Sequence, residues 1–351
     1  MPIERFGFQE SPEIDPFEEQ FDHIGEVRLP RGTAEVADFS PRPEEAKDEV
    51  PVYVGSAWGM GIKTYMPLMK QICKDGRRVL STEHPSYDDA LDSSMNVKEL
   101  WEKNADRKEK YPTAELRKAL NMLEVLEEKG IKQVDAIAHS EGALNVAMAA
   151  AMYPEKFRTI TFFGPAGMLE NETWARLIGG FLDNKKGPRT VAPETLHDIP
   201  ITEDEREVGA AAGEDFVRYF VKNTRRAISE VVAIKQNHSR LKDLIPYLHS
   251  LGINIVVMSA EGDAMFPPEQ VRKAADMDAV DSFISVPGGH GMVGEHPEII
   301  VPIIEAENAK FAKKERTAEQ KQALADREYH AGVRYIPGEG LKISEYVKRG
   351  E

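Results

Sequence analysis

Short apolar segments rich in β-branched residues alternate with amphipathic segments over most of this 351-residue chain. Such alternation builds βαβ units and predicts an α/β fold, with a mostly parallel central sheet covered by helices on both faces. The predicted strands are VPVYVGS (50–56), RRVLSTEHP (77–85), QVDAIAHS (133–140), RTITFFGPAG (158–167), INIVVMSAEGD (253–263) and DSFISVPGGH (281–290). Functional loops in such a sheet lie at the carboxyl ends of the strands.

The segments between these strands have apolar residues at helical spacing. Helices are predicted over 62–74, over 112–130 between Pro112 and Gly130, and directly after the strand that ends at 140. Upstream, the segment GEVRLPRGTAEVADFSP predicts two short strands joined in a hairpin around Arg31 and Gly32. The hairpin, the six strands and the helices between them are expected to form one large α/β domain.

The alternation stops between about 168 and 252, where the spacing of apolar residues predicts a mostly helical insertion. A long charged helix and a polar tail are predicted after residue 298. The expected organisation is an N-terminal arm (1–25), a first part of the core (26–167), the helical insertion (168–252), a second part of the core (253–305) and a C-terminal helical extension (306–351). A homo-oligomer contact through the insertion or the C-terminal helix is the alternative to a solvated helix face.

Composition narrows the class of protein. A formal net charge of −15 argues against a broad basic face, so neither nucleic acid nor an anionic membrane is an expected partner. The chain begins without the apolar stretch of a signal peptide, and no run of apolar residues is long enough to span a membrane. The single cysteine, Cys73, is predicted to be a buried structural thiol, and the expected compartment is the cytoplasm.

One pentapeptide, Ala138-His139-Ser140-Glu141-Gly142, follows a predicted strand and opens a predicted helix. Small residues on either side of a serine allow a sharp strand-to-helix turn that lifts the hydroxyl above the sheet. The pentapeptide resembles the G-x-S-x-G nucleophile elbow of the α/β-hydrolase superfamily, with alanine in place of the first glycine. Taken alone, it fits a serine that caps a helix equally well.

Two later positions strengthen the resemblance. Asp263 follows a buried strand, and His290 follows the last strand in a glycine-rich loop. The order Ser, Asp, His is that of the serine-nucleophile branch of the superfamily, whose helical cap domain occupies the place of the insertion at 168–252. The resemblance covers about residues 25–305 and implies the α/β-hydrolase fold with a Ser-Asp-His triad.

The resemblance also implies a role for each residue. Ser140 would attack the substrate, His290 would take and return its proton, and Asp263 would orient the imidazole. The backbone N–H of Glu141 would be one oxyanion donor. The second donor is expected at Ser56, or at Ala57 if the match after the third strand of the family is shifted by one residue.

Several other residues compete for these roles. Glu261 is an alternative acid, whereas His296 is expected at the surface rather than as the base. His139 is expected to be a packed histidine, because its side chain points away from that of its neighbour Ser140. His84 lies outside the family order, but its loop reaches the same edge of the sheet. Ala57 and Trp58 are expected to line the substrate site, although Trp58 fits a purely packing role equally well.

The predicted activity is hydrolysis of a small or medium carboxylic ester through an acyl-enzyme, with a small-molecule acyl substrate and neither cofactor nor metal. An amidase or aminopeptidase is one alternative, in which Glu141, Glu214 or Asp215 would hold a substrate ammonium. A C–C bond hydrolase would use the same triad. A non-catalytic binding protein on the same scaffold is the alternative from another class. Glu141 is an unusual neighbour for a nucleophile, and its role is left open between substrate contact and a structural ion pair.

Overall fold

A computed structural model describes residues 16–29, 32–83, 97–108, 111–169, 203–236, 239–326, 329–330, 333–336, 340–343 and 347–348. Its main element is an eight-stranded sheet with the order β1-β2-β4-β3-β5-β6-β7-β8. The strands are β1 (Gly25–Leu29), β2 (Gly32–Phe39), β3 (Asp48–Gly55), β4 (Arg77–Thr82), β5 (Val134–His139), β6 (Phe157–Phe163), β7 (Asn254–Ala260) and β8 (Ser282–Val286). β1 and β2 form an antiparallel hairpin, β2 runs antiparallel to β4, and all other neighbours are parallel. The mostly parallel sheet predicted from the alternation is therefore confirmed.

The helices cover both faces of the sheet, as predicted. They are α1 (Pro16–Glu19), α2 (Met66–Lys74), α3 (Val97–Asn104), α4 (Thr113–Glu128), α5 (Gly142–Met152), α6 (Glu203–Gln236), α7 (Arg240–Ser250), α8 (Pro268–Ala275), α9 (Met292–Glu295), α10 (Pro297–Phe311) and α11 (Ala318–Asp326). Short 3-10 turns at Gln20–Asp22, Pro43–Glu45, Ile62–Tyr65 and Pro154–Lys156 complete the set. None of the helices in the described part of the chain is long and apolar enough to cross a membrane.

The apolar core lies in two layers, one on each face of the sheet. Along β7, Ile255 and Val257 belong to the layer under α4, α5 and α7, whereas Val256 and Met258 belong to the layer under α2 and α10. All seven residues of β7 are buried, as are all six of β5. Burial on both faces explains why the middle of each strand, 136–138 in β5 and 255–258 in β7, is continuously apolar rather than alternating with polar residues. Cys73 is buried in the second layer, as predicted.

The described part of the predicted insertion consists mainly of one 34-residue helix, α6, followed by α7. Residues 170–202 lie outside the described part, so the boundaries of a cap domain stay a prediction. α6 lies over the carboxyl edge of the sheet, where Asp215 accepts hydrogen bonds from the Gly61 N–H (2.9 Å) and the Thr64 hydroxyl (2.8 Å). These contacts place α6 directly above the loop that follows β3.

Both ends of the chain differ in detail from a simple arm and a simple helix. Phe17 and Phe21, within the predicted N-terminal arm, are buried, and the ring of Phe21 packs on Phe39 with 4.9 Å between centroids. Residues 1–15 lie outside the described part.

In the predicted C-terminal helical extension, α10 ends at Phe311 and α11 begins at Ala318, so the charged segment between them is not helical. Four short strands follow: β9 (Tyr329–His330), β10 (Val333–Ile336), β11 (Gly340–Ile343) and β12 (Val347–Lys348).

Candidate active site

Ser140 lies in a sharp turn between β5 and α5. Its backbone φ is +54°, a left-handed conformation that costs a non-glycine residue about 1–2 kcal/mol. The turn is held by hydrogen bonds from the Ser140 N–H to the Phe163 carbonyl (3.0 Å) and from the Ala143 and Ala166 N–H groups to the Ser140 carbonyl (3.1 and 3.0 Å). A strained residue that several bonds hold in place is typical of functional sites.

The packing of the turn explains which small residues it needs. A Cβ atom on Gly142 would lie 2.5 Å from the carbonyl oxygen of Gly55, and one on Gly55 would lie 2.8 Å from a methyl of Val146. Backbone cannot yield at such distances, so Gly142 must be glycine. Ala138, by contrast, is fully buried with its methyl group in the core. Alanine at the first position of the pentapeptide is thus compatible with the turn.

Asp263 and His290 form a buried pair at the same edge of the sheet. The Nδ1 atom of His290 lies 2.8 Å from Oδ2 of Asp263. The other oxygen of Asp263 accepts the N–H groups of Met265 and Phe266, both at 2.8 Å. Because carboxylate oxygens accept and Nδ1 carries the proton, Nε2 of His290 is left as the basic atom. Nε2 is buried and makes no hydrogen bond with any described residue, including Ser140.

Gly164, which the sequence analysis did not single out, makes room for this pair. Its φ is +48°, and a Cβ atom on it would lie 2.9 Å from Oδ2 of Asp263 and 3.0 Å from Nδ1 of His290. Gly164 directly follows Phe163, whose carbonyl accepts the Ser140 N–H. The end of β6 therefore brings the serine turn and the Asp–His pair together. The glycine after the apolar run TITFF was the available signal.

Two backbone N–H groups near Ser140 are free to act as donors. Within the described residues, the N–H groups of Glu141 and Ser56 make no hydrogen bond. The N–H of Ala57, by contrast, donates to the hydroxyl of Tyr65 at 2.8 Å. Glu141 also lies at the start of α5, whose dipole favours negative charge there. The geometry supports Ser56 over Ala57 as the second oxyanion donor.

The structure describes three of the four residues that compete for the roles of acid and base. Glu261 is exposed. His296 is only 3% exposed and contacts Glu298 at 3.0 Å, so the expectation that it lies at the surface is wrong; it is buried at the start of α10. His139 is buried and packed, as predicted. His84 lies outside the described residues.

Trp58 connects the loop after β3 to α6. Its ring packs edge-on against Phe216 and Phe220, with centroids 5.9 and 5.3 Å away. Ala57, beside it, is buried and lines a cavity together with Ser56. The packing role of Trp58 is therefore present in the structure, and its contact with a substrate stays a prediction.

The side chain of Glu141 points into a buried group of charges that we call the elbow cluster: Glu115, Lys118, Glu141 and Glu230. Lys118 Nζ lies 2.6 Å from Glu141 and 3.1 Å from Glu230 of α6. Burial raises the pKa of Glu141, although Lys118 counteracts it. Burial, and then the charge of Glu141, raise the pKa of Glu115 well above its usual range. Glu115 is therefore the carboxyl group of the cluster that keeps its proton most readily, and neither of its oxygens makes a hydrogen bond with the described residues. The ion pair expected as one role of Glu141 is thus present, whereas its contact with a substrate stays a prediction.

A cavity of about 210 Å³ lies beside the serine turn. Its lining includes Ser56, Ala57 and Glu141 on one side, and Asp215 and Arg218 of α6 on the other. The cavity thus borders the two residues whose N–H groups are free, its walls are polar and charged, and its lining does not include Ser140 or His290.

The fold matches that of known proteins. The model of a family described as alpha/beta hydrolase fold matches residues 58–297. No curated protein sequence matches the chain. Similar solved structures include an esterase from Exiguobacterium antarcticum (12% identity, TM-score 0.57, covering 81% of this chain and 99% of that one). Others are an enol-lactonase from Burkholderia xenovorans LB400 (14%, 0.56, 83% and 100%) and a thermophilic esterase from Thermogutta terrifontis with malate bound (16%, 0.53, 82% and 99%). The sheet has eight strands, and Ser140 lies in a strained turn after one of them. Because the family model also matches over two thirds of this chain, the chain belongs to the alpha/beta hydrolase fold family.

Proposed function

We propose that this protein is a serine hydrolase that cleaves a small carboxylic ester through an acyl-enzyme. The observation that carries the proposal is the buried His290–Asp263 hydrogen bond, which leaves Nε2 of His290 as the one basic atom of the pair. Gly164 contacts this pair and directly follows Phe163, whose carbonyl holds the strained Ser140.

The catalytic cycle assigns one task to each group. The Ser140 oxygen attacks the carbonyl carbon of the ester while Nε2 of His290 takes the hydroxyl proton. The N–H groups of Glu141 and Ser56 stabilise the oxyanion of the tetrahedral intermediate. As the C–O bond of the ester breaks, His290 gives the proton to the leaving alkoxide. Water then attacks the acyl-enzyme by the same route and releases the carboxylic acid and Ser140.

The surroundings of the turn support a small substrate. The cavity lined by Ser56, Ala57 and Glu141, next to the turn, has a volume of about 210 Å³, and its lining is mostly polar. α6, as part of the proposed cap over residues 168–252, closes the cavity from above through Asp215 and Arg218. A long alkyl chain would place apolar surface against these charged groups, which is unfavourable.

The aminopeptidase alternative loses its support, because the carboxylates that would hold an ammonium are already paired. Glu141 binds Lys118 at 2.6 Å, and Asp215 accepts three donors, of which Arg218 at 3.0 Å is one. Glu214 is exposed and pairs with Lys63 at 3.2 Å. An ammonium group on the substrate would have to displace a protein cation.

The first test uses a fluorophosphonate probe, which labels an activated serine, with mass spectrometry to locate the adduct. We expect an adduct on Ser140 of the native protein and no adduct in Ser140→Ala. Ser259→Ala, which changes another buried serine, is the matched control and should keep the label. A native protein without an adduct on Ser140 contradicts the proposal.

The second test measures hydrolysis of p-nitrophenyl esters of increasing chain length against aminoacyl anilides. We expect turnover of short esters and little turnover of long esters or anilides. His290→Ala should lower kcat at least about 1,000-fold because it removes the base. His296→Ala is the control, and an equal loss in it would point to the wrong histidine.

A further inference from the structure

A buried chain of hydrogen bonds joins three loops of the candidate site. The Ala57 N–H lies 2.8 Å from the Tyr65 hydroxyl, which lies 2.7 Å from Nδ1 of His139. Nε2 of His139 lies 2.9 Å from the backbone carbonyl of His290. The chain therefore runs from the loop after β3, through the residue before Ser140, to the loop that carries the base.

The partners at the two ends fix most of the protons in this chain. A backbone N–H can only donate, so the hydroxyl of Tyr65 accepts from Ala57. A carbonyl can only accept, so Nε2 of His139 carries a proton and donates to His290. When His139 is neutral, its Nδ1 has no proton and accepts the proton of the Tyr65 hydroxyl. Burial, and secondly the neighbouring His290, hold the pKa of His139 well below its usual range, which keeps it in this form.

We propose that Tyr65 and His139 are positioning residues, which hold the oxyanion loop and the loop of His290 in register with Ser140. The inference rests on the proposed function, because it assigns a role in the same reaction. Tyr65 occupies the N–H of Ala57 and so fixes Ser56 as the donor that faces the oxyanion. His139 fixes the main chain of His290, and its ring packs on the His290 ring with 4.6 Å between centroids.

Such a link matters because attack requires an alignment of several groups that come from separate loops. A misplacement of about 1 Å in one group can cost about 100-fold in rate. His139 precedes the strained Ser140 in the chain, so the turn and the two loops share one anchor. A purely structural role for Tyr65 would stabilise the fold without changing the chemical step.

The test compares Tyr65→Phe with Tyr53→Phe. Tyr53 is similarly buried, in β3, and burial alone raises the pKa of its hydroxyl, with no contribution from a hydrogen bond. Tyr65→Phe should lower kcat and the rate of fluorophosphonate labelling by about 10- to 100-fold, with KM within about threefold of the native value. Tyr53→Phe should leave both rates within about twofold. A Tyr65→Phe protein with native kcat overturns the inference, even if Ser140 is labelled and the proposed function stands.

A second comparison examines His139 itself. Glutamine keeps an N–H donor and a carbonyl acceptor, so His139→Gln should retain about tenfold more kcat than His139→Ala. Rates are expressed per active site counted with the stoichiometric probe, so misfolded protein does not enter. Equal losses in the two variants would overturn the hydrogen-bonded route through His139. If the native protein takes no label on Ser140, the proposed function fails and this inference fails with it.

Discussion

Two groups of charges lie at opposite edges of the sheet and differ in burial and in the ratio of cations to carboxyl groups. At the amino edge, the basal cluster consists of Asp48, Arg77, Asp135, Arg158 and Glu305. Arg77 contacts Asp135 and Glu305, both at 2.8 Å, and Arg158 contacts Asp48 at 2.7 Å. Two guanidinium groups thus face three carboxylates in planar, directional contacts.

The elbow cluster at the carboxyl edge has one ammonium among three carboxyl groups, and burial raises the pKa of Glu115 so that it favours the protonated form. Burial would lower the pKa of Lys118, but Glu141, Glu230 and Glu115 together raise it. Buried ion pairs alone are weak evidence for stability, because desolvation offsets their attraction. The two clusters therefore connect different parts of the fold. The basal cluster connects neighbouring strands, whereas the elbow cluster connects the residue after Ser140 to α6.

Removing the cation of the elbow cluster should have the largest effect on stability. Lys118→Met leaves three buried carboxyl groups without a positive charge, and we expect a loss of about 3–5 kcal/mol in the free energy of unfolding at neutral pH. Urea denaturation measures it. Lys63→Met is the control, since Lys63 joins Glu214 of α6 at 3.2 Å through an exposed ion pair and should change stability by less than about 1 kcal/mol. Similar losses in the two variants would contradict a buried origin of the effect.

Breaking the basal cluster should cost less and leave the chemistry intact. Asp135→Asn should reduce the free energy of unfolding by about 2–3 kcal/mol. The loss is limited because Arg77 keeps Glu305 and the Val50 carbonyl, and Arg158 keeps Asp48.

Turnover separates this variant from changes at the carboxyl edge. Turnover of Asp135→Asn per titrated active site should stay within about twofold of native, because the basal cluster lies at the other edge of the sheet. Urea denaturation and active-site titration check the two parts. A fall in turnover per titrated site would show that the edges are coupled.

The sequence predicts the sheet because its central strands, such as β5 and β7, are buried on both faces and are therefore largely apolar. It also predicts the approach of Asp263 to His290, because each follows a strand that ends at the same edge. Ser140 also follows a strand that ends at this edge. The order Ser140, Asp263, His290 along the chain is the order found in the family. These predictions need only the direction of the strands and the identity of the residues after them.

The elbow cluster could not be predicted in the same way. Lys118 and Glu115 are charged residues within the sequence of α4. Charged residues in an amphipathic helix usually lie on its solvent-facing side. These two are buried because α6, about 100 residues further along the chain, contributes Glu230 against them. Tyr65 is equally hidden, since a tyrosine at the start of a helix resembles ordinary core. Its partners Ala57 and His139 meet it only in the folded protein.

Replacing Glu115 of the elbow cluster should have the smallest effect on the free energy of unfolding. The variant tests how the negative charge at the carboxyl edge is neutralised. Burial and Glu141 raise the pKa of Glu115, so the folded protein holds a proton that the unfolded chain loses above about pH 4.3. This contribution to stability is complete below that pH and is lost as pH rises through the folded pKa. Glu115→Gln has no such proton, so its free energy of unfolding should fall less steeply with pH, by up to about 1.4 kcal/mol per pH unit.

Urea denaturation at several values between about pH 5 and pH 8 measures the two slopes. Glu128→Gln, on the exposed end of the same helix, should keep the native slope. Parallel curves for the native protein and Glu115→Gln would mean that Glu115 is ionised in the folded state. The elbow cluster would then hold three carboxylates against one ammonium. A shallower curve for Glu115→Gln means instead that a proton, rather than a second cation, neutralises one of the three carboxyl groups.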